Sequence, residues 1–181
     1  MIGTRVAALL SLGALAWAVA WTAAALPRAG ETFPSFTAAD VTGQKQQSAS
    51  FLGHGTLVVA ITDRHGGDAM QAWYETADRR MPESVRRLSI LSFDLPFFVS
   101  LKTAQGKARN RIPERYWHDS LLDRDGAMAK ALGMEESPLP FVLALDPSGR
   151  VLASFHGGVQ SSGADSIWAA FSSLAPPTKS P

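Results

Sequence analysis

The chain has 181 residues, a formal net charge of +1 and no cysteine. Its near-neutral charge excludes a global field that would attract nucleic acid, and the missing cysteines exclude disulfides, thiolate nucleophiles, zinc–thiolate sites and CxxC redox motifs. The length suits one domain together with a targeting segment.

The chain begins with an apolar leader. Arg5 is followed by 21 uncharged residues, 6–26. This run exceeds the apolar region of a signal peptide, about 7–15 residues, and approaches the roughly 20 residues of a membrane-spanning helix. Alanines at 18–20 and 23–25 offer cleavage sites of the A-x-A type. We expect 1–29 to be a signal peptide or a membrane anchor helix that places the domain in the periplasm or another extracytoplasmic compartment, with Arg5 inside.

Strand and helix signals follow the leader. Residues 33–37 (FPSFT) predict a short extended segment, which its proline confines to a sheet edge. Residues 56–62 (TLVVAIT) are typical of a strand buried on both faces. A polar loop then leads to a helix over 69–80, with Asp68 as its N-cap, and 88–93 (LSILSF) predict a second strand.

A basic segment, 96–115, separates the two halves and shows no regular pattern. Its cations are Lys102, Lys107, Arg109, Arg111 and Arg115, and its only acid is Glu114. A charged run of this kind is most simply a solvated surface. An anionic partner or lipid headgroups are the alternatives, and a retained anchor would favour the headgroups.

The second half of the domain returns to regular elements. They are a strand at 120–122, a helix at 127–132, a strand at 141–145, its hairpin partner at 150–155 and a closing helix at 162–174. The D-P-S-G sequence at 146–149 is a turn signature for the hairpin. Helices interleaved with strands imply an α/β three-layer sandwich with a central mixed sheet over 30–175. We expect the Pro- and Ser-rich tail, 176–181, to be disordered.

The sequence gives little support for metal binding, nucleotide binding or serine hydrolase chemistry. His65 lies beside Asp63 and Asp68, but a metal site needs three or four converging ligands, and no H-x₃-H or HExxH spacing occurs. The D-x-D-G turn that begins at Asp123 lacks the Glu that an EF-hand has at position 12, and G-x-S-x-G, P-loop and G-x-G-x-x-G motifs are absent. We therefore predict no metal and no cofactor, and we interpret His156 as a turn residue.

Three stretches carry a resemblance to a known family. They read GETFPSFTAADVTG at 30–43, DRDGAMAKALG at 123–133 and PFVLALDPSGRV at 140–151. They resemble the first segment, the segment before the cis-proline, and the cis-proline strand with its hairpin in the redoxin and TlpA-like branch of the thioredoxin-like superfamily. The resemblance covers about 30–174 and implies a thioredoxin-like fold.

The chain departs from this family at the place that matters for catalysis. The family's cysteine pair follows the first central strand, where this chain has DRHGGDAM at 63–70. Gly66 and Ala69 fall near the cysteine positions. The resemblance alone would assign a redoxin-family oxidoreductase, and the missing thiols exclude that activity.

A narrower resemblance concerns cysteine-free periplasmic proteins of the YtfJ type. These have an extended insert before a W-x-x-x-x-x-D segment, which Trp117 and Asp123 match here. Membership would support export and the loss of redox chemistry.

The resemblance also implies a binding groove. We expect a cis bond at Leu139–Pro140 that turns the loop toward 63–68 and lets Leu139 pair with an extended ligand. The candidate groove residues are Asp63, Arg64, His65, Gly66, Gly67, Asp68, Leu139 and Pro140.

The leading functional hypothesis is a non-catalytic binding or accessory module of the bacterial envelope. Near the degenerate loop it would hold a polypeptide or a small ligand. Its partner would be an envelope protein or an extended peptide and not nucleic acid, and a retained leader would attach it to the membrane through 6–26. The alternative hypothesis is an enzyme with non-thiol chemistry at His65, Asp63 and Asp68.

Overall fold

The computed structural model describes residues 25–93, 100–172 and 174. The predicted tail, and the leader up to residue 24, lie outside the described residues. Among the residues that are described, no helix is both long enough and apolar enough to cross a membrane.

The described chain forms one seven-stranded mixed sheet. Its strands are β1 (Thr37–Asp40), β2 (Lys45–Gln47), β3 (Thr56–Ile61), β4 (Arg86–Ser92), β5 (Ser120–Asp123), β6 (Phe141–Leu145) and β7 (Val151–His156). They lie in the order β2-β1-β5-β4-β3-β6-β7. The central β3, β4 and β5 are parallel and the outer pairs antiparallel. The predicted α/β sandwich with a mixed sheet is confirmed.

Four α-helices cover the two faces of this sheet. They are α1 (Gly67–Arg80), α2 (Leu101–Arg109), α3 (Ala127–Ala131) and α4 (Asp165–Ser172). Alternate residues of β3 point to opposite faces. Val58 packs with Met128 of α3, whereas Val59 packs with Trp73 of α1 and Trp168 of α4. We call these two sides the α3 face and the α1–α4 face.

The predicted beginnings of two elements, the first strand and helix α1, are wrong. Residues 33–37 do not form one edge strand: Thr32 and Phe33 pair with residues 149–150 next to β7, and the regular strand β1 begins at Thr37, between β2 and β5. Pro34 has no N–H for a ladder and lies between these two pairings. Asp68 is not the N-cap of α1, because a 3₁₀ turn, Arg64–Gly66, joins the helix two residues earlier and Asp63 caps that turn.

The basic segment is more regular than predicted. Helix α2 begins after Ser100, whose side chain accepts a hydrogen bond from the Thr103 N–H. A 3₁₀ helix, Glu114–Asp119, then leads to β5. The helix was missed because Gly106 lowers its intrinsic propensity and none of its residues is fully buried.

Two hairpin turns share one construction. In D-V-T-G-Q, Asp40 Oδ1 accepts from the N–H groups of residues 42 and 44, and the glycine at 43 has a φ of 93°. In D-P-S-G-R, Asp146 Oδ1 accepts from the N–H groups of residues 148 and 150, and Gly149 has a φ of 81°. Glycine suits the left-handed position that closes such turns. The second turn joins β6 to β7 at the end of the sheet where β3 begins, away from the predicted groove.

Candidate functional site

The loop 63–68 follows the end of β3 and forms the N-terminal approach to α1. Asp63 Oδ1 accepts from the His65 N–H at 2.8 Å and lies 2.8 Å from His65 Nδ1. The His65 N–H hydrogen bond is the largest cause of a lowered pKa at Asp63. The His65 ring is 70% exposed. The predicted Asp68 lies in the first turn of α1 and has no hydrogen bond or ion pair with either residue among the described side chains.

Gly66, which the sequence resemblance puts near a cysteine position of the family, is buried. A Cβ atom there would lie 3.0 Å from Ile61 Cγ2 and 3.5 Å from the Pro138 carbonyl oxygen. The first contact is tighter than ordinary van der Waals packing, so a side chain at this position would require Ile61 to shift by a few tenths of an ångström.

The segment 135–140 lies next to the loop, where the Pro138 carbonyl is 3.5 Å from the place of a Cβ atom on Gly66. The Thr62 hydroxyl donates to the Glu135 carbonyl at 2.8 Å and accepts from the Ser137 N–H at 3.0 Å. Because Ala60 pairs with Phe141, the residues that precede Phe141 run past Ile61 at the end of β3. The structure thus brings the two halves of the predicted groove together.

The Leu139–Pro140 bond is trans, since the described residues contain no cis peptide bond, and the cis prediction is wrong. The trans form is the default for X-Pro bonds. Here Ser137 Oγ accepts from the Leu139 N–H at 3.1 Å, and the Pro140 carbonyl accepts from the Gly157 N–H at 3.0 Å. These hydrogen bonds fix the loop in place of a cis turn, and they occupy the Leu139 N–H that we expected to pair with a ligand.

Leu139 itself is exposed. Its side chain has 45% of its surface accessible, and Leu52 with 48% is the other large exposed apolar residue in the described part of the chain. Pro140 is buried beneath it. The segment therefore presents the Leu139 side chain to solvent.

A serine–histidine pair that sequence reasoning missed supports this segment. His156 is the last residue of β7 and not a turn residue, and its ring stacks on Phe141 with centroids 4.0 Å apart. Its Nε2 lies 2.8 Å from Ser137 Oγ. Nineteen residues separate the pair, so only the β6–β7 pairing shows that they meet.

A buried carboxylate on β1, which β5 and β4 separate from β3, was also missed. Asp40 is fully buried, and its Oδ2 lies 2.9 Å from His118 Nδ1 and accepts from Gln46 Nε2 at 3.0 Å. Burial raises the pKa of Asp40, but hydrogen bonds from Thr42, His118 and Gln46 outweigh it and lower the pKa to about 2. With its partners satisfied, this group holds a turn together.

One cavity, of about 220 Å³, lies away from the loop. Its lining includes Phe33, Phe51, Leu52 and Leu145, around the beginning of β3 and the end of β6. It is therefore separate from the candidate groove. In the described part of the chain, no three His, Asp or Glu side chains converge as metal ligands.

No family model and no curated protein matches the sequence. Solved structures do. The thioredoxin domain of a Bacteroides vulgatus thiol-disulfide oxidoreductase matches with a TM-score of 0.55 at 14% identity, over 82% of this chain and 98% of that one. The Mycobacterium tuberculosis peroxidoxin BcpB matches with 0.54 at 18%, over 82% and 99%. An exposed lipoprotein thioredoxin of Streptococcus pneumoniae matches with 0.54 at 11%, over 75% and 98%.

At these identities the likeness establishes the fold, and the resemblance to the YtfJ type stays a prediction. The sequence contains no thiol. The chain therefore has the thioredoxin-like fold of the redoxins without their catalytic cysteines.

Proposed function

We propose that the chain is an exported, redox-inactive module of the bacterial envelope that holds an extended polypeptide against the loop 63–68 and Leu139. The loss of redox chemistry follows from the absence of thiols, since the thiolate is the nucleophile in disulfide exchange. Without thiols, the function left to the fold is binding at its surface.

The exposed Leu139 is the observation that carries this proposal. The hydrogen bonds of Ser137 and Pro140 hold its backbone, so docking there costs little conformational entropy. Its carbonyl accepts no hydrogen bond from the described residues. A strand-like partner can donate to this carbonyl while an apolar side chain covers the leucine.

The exposure of the neighbouring loop favours an extended polypeptide over a small ligand. Arg64 and His65 are exposed beside the half-buried Asp63. The cavity described above lies at the other end of the sheet. A small ligand requires enclosure, whereas a peptide can lie across an open surface.

Two observations support export. The apolar run 6–26 after Arg5 has the character of a signal peptide or anchor. A similar structure belongs to an exposed lipoprotein of another bacterium. A reporter that is active only outside the cytoplasm, fused after Leu174, should be active. Activity of the complementary cytoplasm-only reporter alone would contradict export.

The two exposed leucines provide a matched test of the binding surface. Full-length chain, Leu139→Asp and Leu52→Asp are each used as bait against the envelope fraction of the native host. We expect a species that wild type and Leu52→Asp retain and that Leu139→Asp loses. Equal retention by all three baits, with correct folding verified by circular dichroism, would contradict the proposal.

The Asp63–His65 pair favours a second candidate, a non-thiol acid–base enzyme. The 2.8 Å contact orients the imidazole as in catalytic pairs. Against this, the ring is 70% exposed and Asp68 does not join it. Hydrolysis of ester or phosphoester probes that His65→Ala abolishes would establish this candidate, and unchanged background hydrolysis would remove it.

A further inference from the structure

We infer that the polypeptide held at this site is acidic, and that the cations of residues 102–115 recognise it. This inference rests on the proposed function and specifies its partner. We call Lys102, Lys107, Arg109, Arg111 and Arg115 the basic patch.

Cations outnumber acids in this segment. Residues 102–115 hold five of the 17 Lys and Arg but only one of the 16 Asp and Glu, so this part of the chain carries a local excess of positive charge. All five cations are exposed. In contrast with Arg80, Arg86 and Arg87, none of them forms an ion pair with a described residue. Their charges are therefore available to a partner.

Aromatic rings hold two of the guanidinium groups in place. The Cζ of Arg109 lies 5.7 Å from the Trp117 ring centroid, and that of Arg115 lies 4.7 Å from the Tyr116 centroid. A guanidinium that stacks on a ring uses its face and leaves its N–H edge free. That edge donates two parallel hydrogen bonds to a carboxylate.

The patch reaches the candidate groove through Arg111. Its Nη1 lies 3.8 Å from the place that a Cβ atom on Gly67 would occupy, at the beginning of α1. Arg64 of the loop adds a further exposed cation. Of the loop carboxylates, Asp63 is engaged by His65, which leaves Asp68 as the opposing charge. A bound polypeptide that lies along Leu139 and the loop would therefore contact cations of the basic patch where it extends beyond the loop.

Helix α2 contacts the domain through the partly buried side chains of Leu101 and Ala108, on the α1–α4 face. Ser100 caps its beginning, and Gln105 Nε2 reaches the Asp40 carbonyl at 3.5 Å. The indole of Trp117 donates to the Ile112 carbonyl at 2.9 Å. A fixed array of cations gains more from a complementary partner than flexible side chains do.

The position of the patch favours a protein over a membrane surface. Residues of the patch segment, including Ala108 and Ile112, pack on the α1–α4 face of the sheet, whereas Leu26 at the end of the leader packs on the α3 face. The patch is therefore on the side of the sheet away from the point where the leader joins the domain. A membrane that holds the leader is poorly placed to contact it.

Fluorescence anisotropy with a defined probe tests the inference. The probe is a labelled peptide of alternating Glu and Val, about 12 residues long, which spans roughly 40 Å when extended. The protein is the full chain in a neutral detergent. The test variant is Lys107→Glu/Arg109→Glu/Arg111→Glu. The matched control, Arg28→Glu/Arg124→Glu/Lys130→Glu, has the same net charge and changes exposed cations outside the patch.

We expect the patch variant to weaken peptide binding by about tenfold or more, the control by less than about twofold, and added salt to remove the difference. An equal loss in both triple variants would overturn the inference, because net charge alone would then explain binding. Binding of phosphatidylglycerol vesicles that depends on the patch, without peptide binding, would also overturn it in favour of lipid.

If Leu139→Asp abolishes envelope capture while the patch variant retains it, the proposed function stands and this inference fails. If both variants retain capture, both fail.

Discussion

Asp40 shows at the residue scale how a single buried charge organises a turn. It is fully buried, yet hydrogen bonds and an imidazole satisfy both of its oxygens. Burial would raise its pKa, and these partners instead lower it from 3.8 to about 2. A carboxyl group whose pKa is lower in the folded than in the unfolded state stabilises the fold only while it is ionised.

We predict that Asp40→Asn removes about 2 kcal/mol or more at about pH 6, because a pKa shift of one unit corresponds to about 1.4 kcal/mol. This stabilisation is present above about pH 4 and is lost as the pH falls toward 2. Urea unfolding of wild type and variant at both ends of this range measures the difference. Asp146→Asn, in the equivalent but less buried turn, is the control and should lose less. A wild-type advantage that is the same at about pH 6 and pH 2 would contradict this assignment.

Gly163 illustrates a second residue-scale constraint. A Cβ atom there would lie 2.3 Å from Cε2 of Phe155, whose ring packs 6.0 Å from that of Trp73. We predict that Gly163→Ala costs about 1–3 kcal/mol through overpacking. Gly158→Ala, at a site with nothing within 4 Å, is the control. Thermal unfolding decides: equal melting temperatures for the two variants would show that the Phe155 ring moves freely.

At the element scale, α2 combines a weak sequence signal with a definite structural place. Gly106 lies inside the helix with open space around it. Gly106→Ala should therefore stabilise the chain by about 0.5–1 kcal/mol. Gly43→Ala, at a φ of 93° and with its Cβ 3.2 Å from Gln105 Nε2, should destabilise it. Chemical denaturation of both variants tests the pair, and destabilisation by Gly106→Ala would contradict the helix.

The elements that could be predicted from sequence are those whose signal is local. The apolar runs of β3 and β6 and the D-P-S-G turn specify their structures through burial and turn chemistry alone. The start of α1 was misplaced because Asp63 caps a 3₁₀ turn, which sequence cannot distinguish from a loop. The Ser137–His156 and Asp40–His118 pairs join residues distant along the chain, so only the assembled sheet reveals them.

At the scale of the whole molecule, the fold persists without the chemistry usually associated with it. The fold is similar to that of a thiol-disulfide oxidoreductase domain, while the thiols are absent. The cis-proline expectation failed on the same principle: Ser137 and Gly157 fix the segment before β6 by other hydrogen bonds. Of the expected architecture, this chain has the proximity of that segment to the loop 63–68, but not the cis isomer of the Leu139–Pro140 bond.

We predict that the chain shows no insulin reduction, disulfide exchange or thiol peroxidase activity above a cysteine-free control protein, because each requires a thiolate. Standard turnover assays measure all three. Any such activity that a substitution in the loop 63–68 abolished would contradict the redox-inactive assignment.

Site-specific photo-crosslinking in the native envelope tests the central proposal most directly. A photoreactive amino acid is placed at Leu139 or, as the control of similar exposure, at Leu52. We predict a discrete crosslinked protein from position 139 that is absent from position 52 and is reduced by charge reversal of the basic patch. Equal crosslinking from both positions, or none from position 139 in correctly folded and exported protein, would contradict a polypeptide-binding site at the degenerate loop.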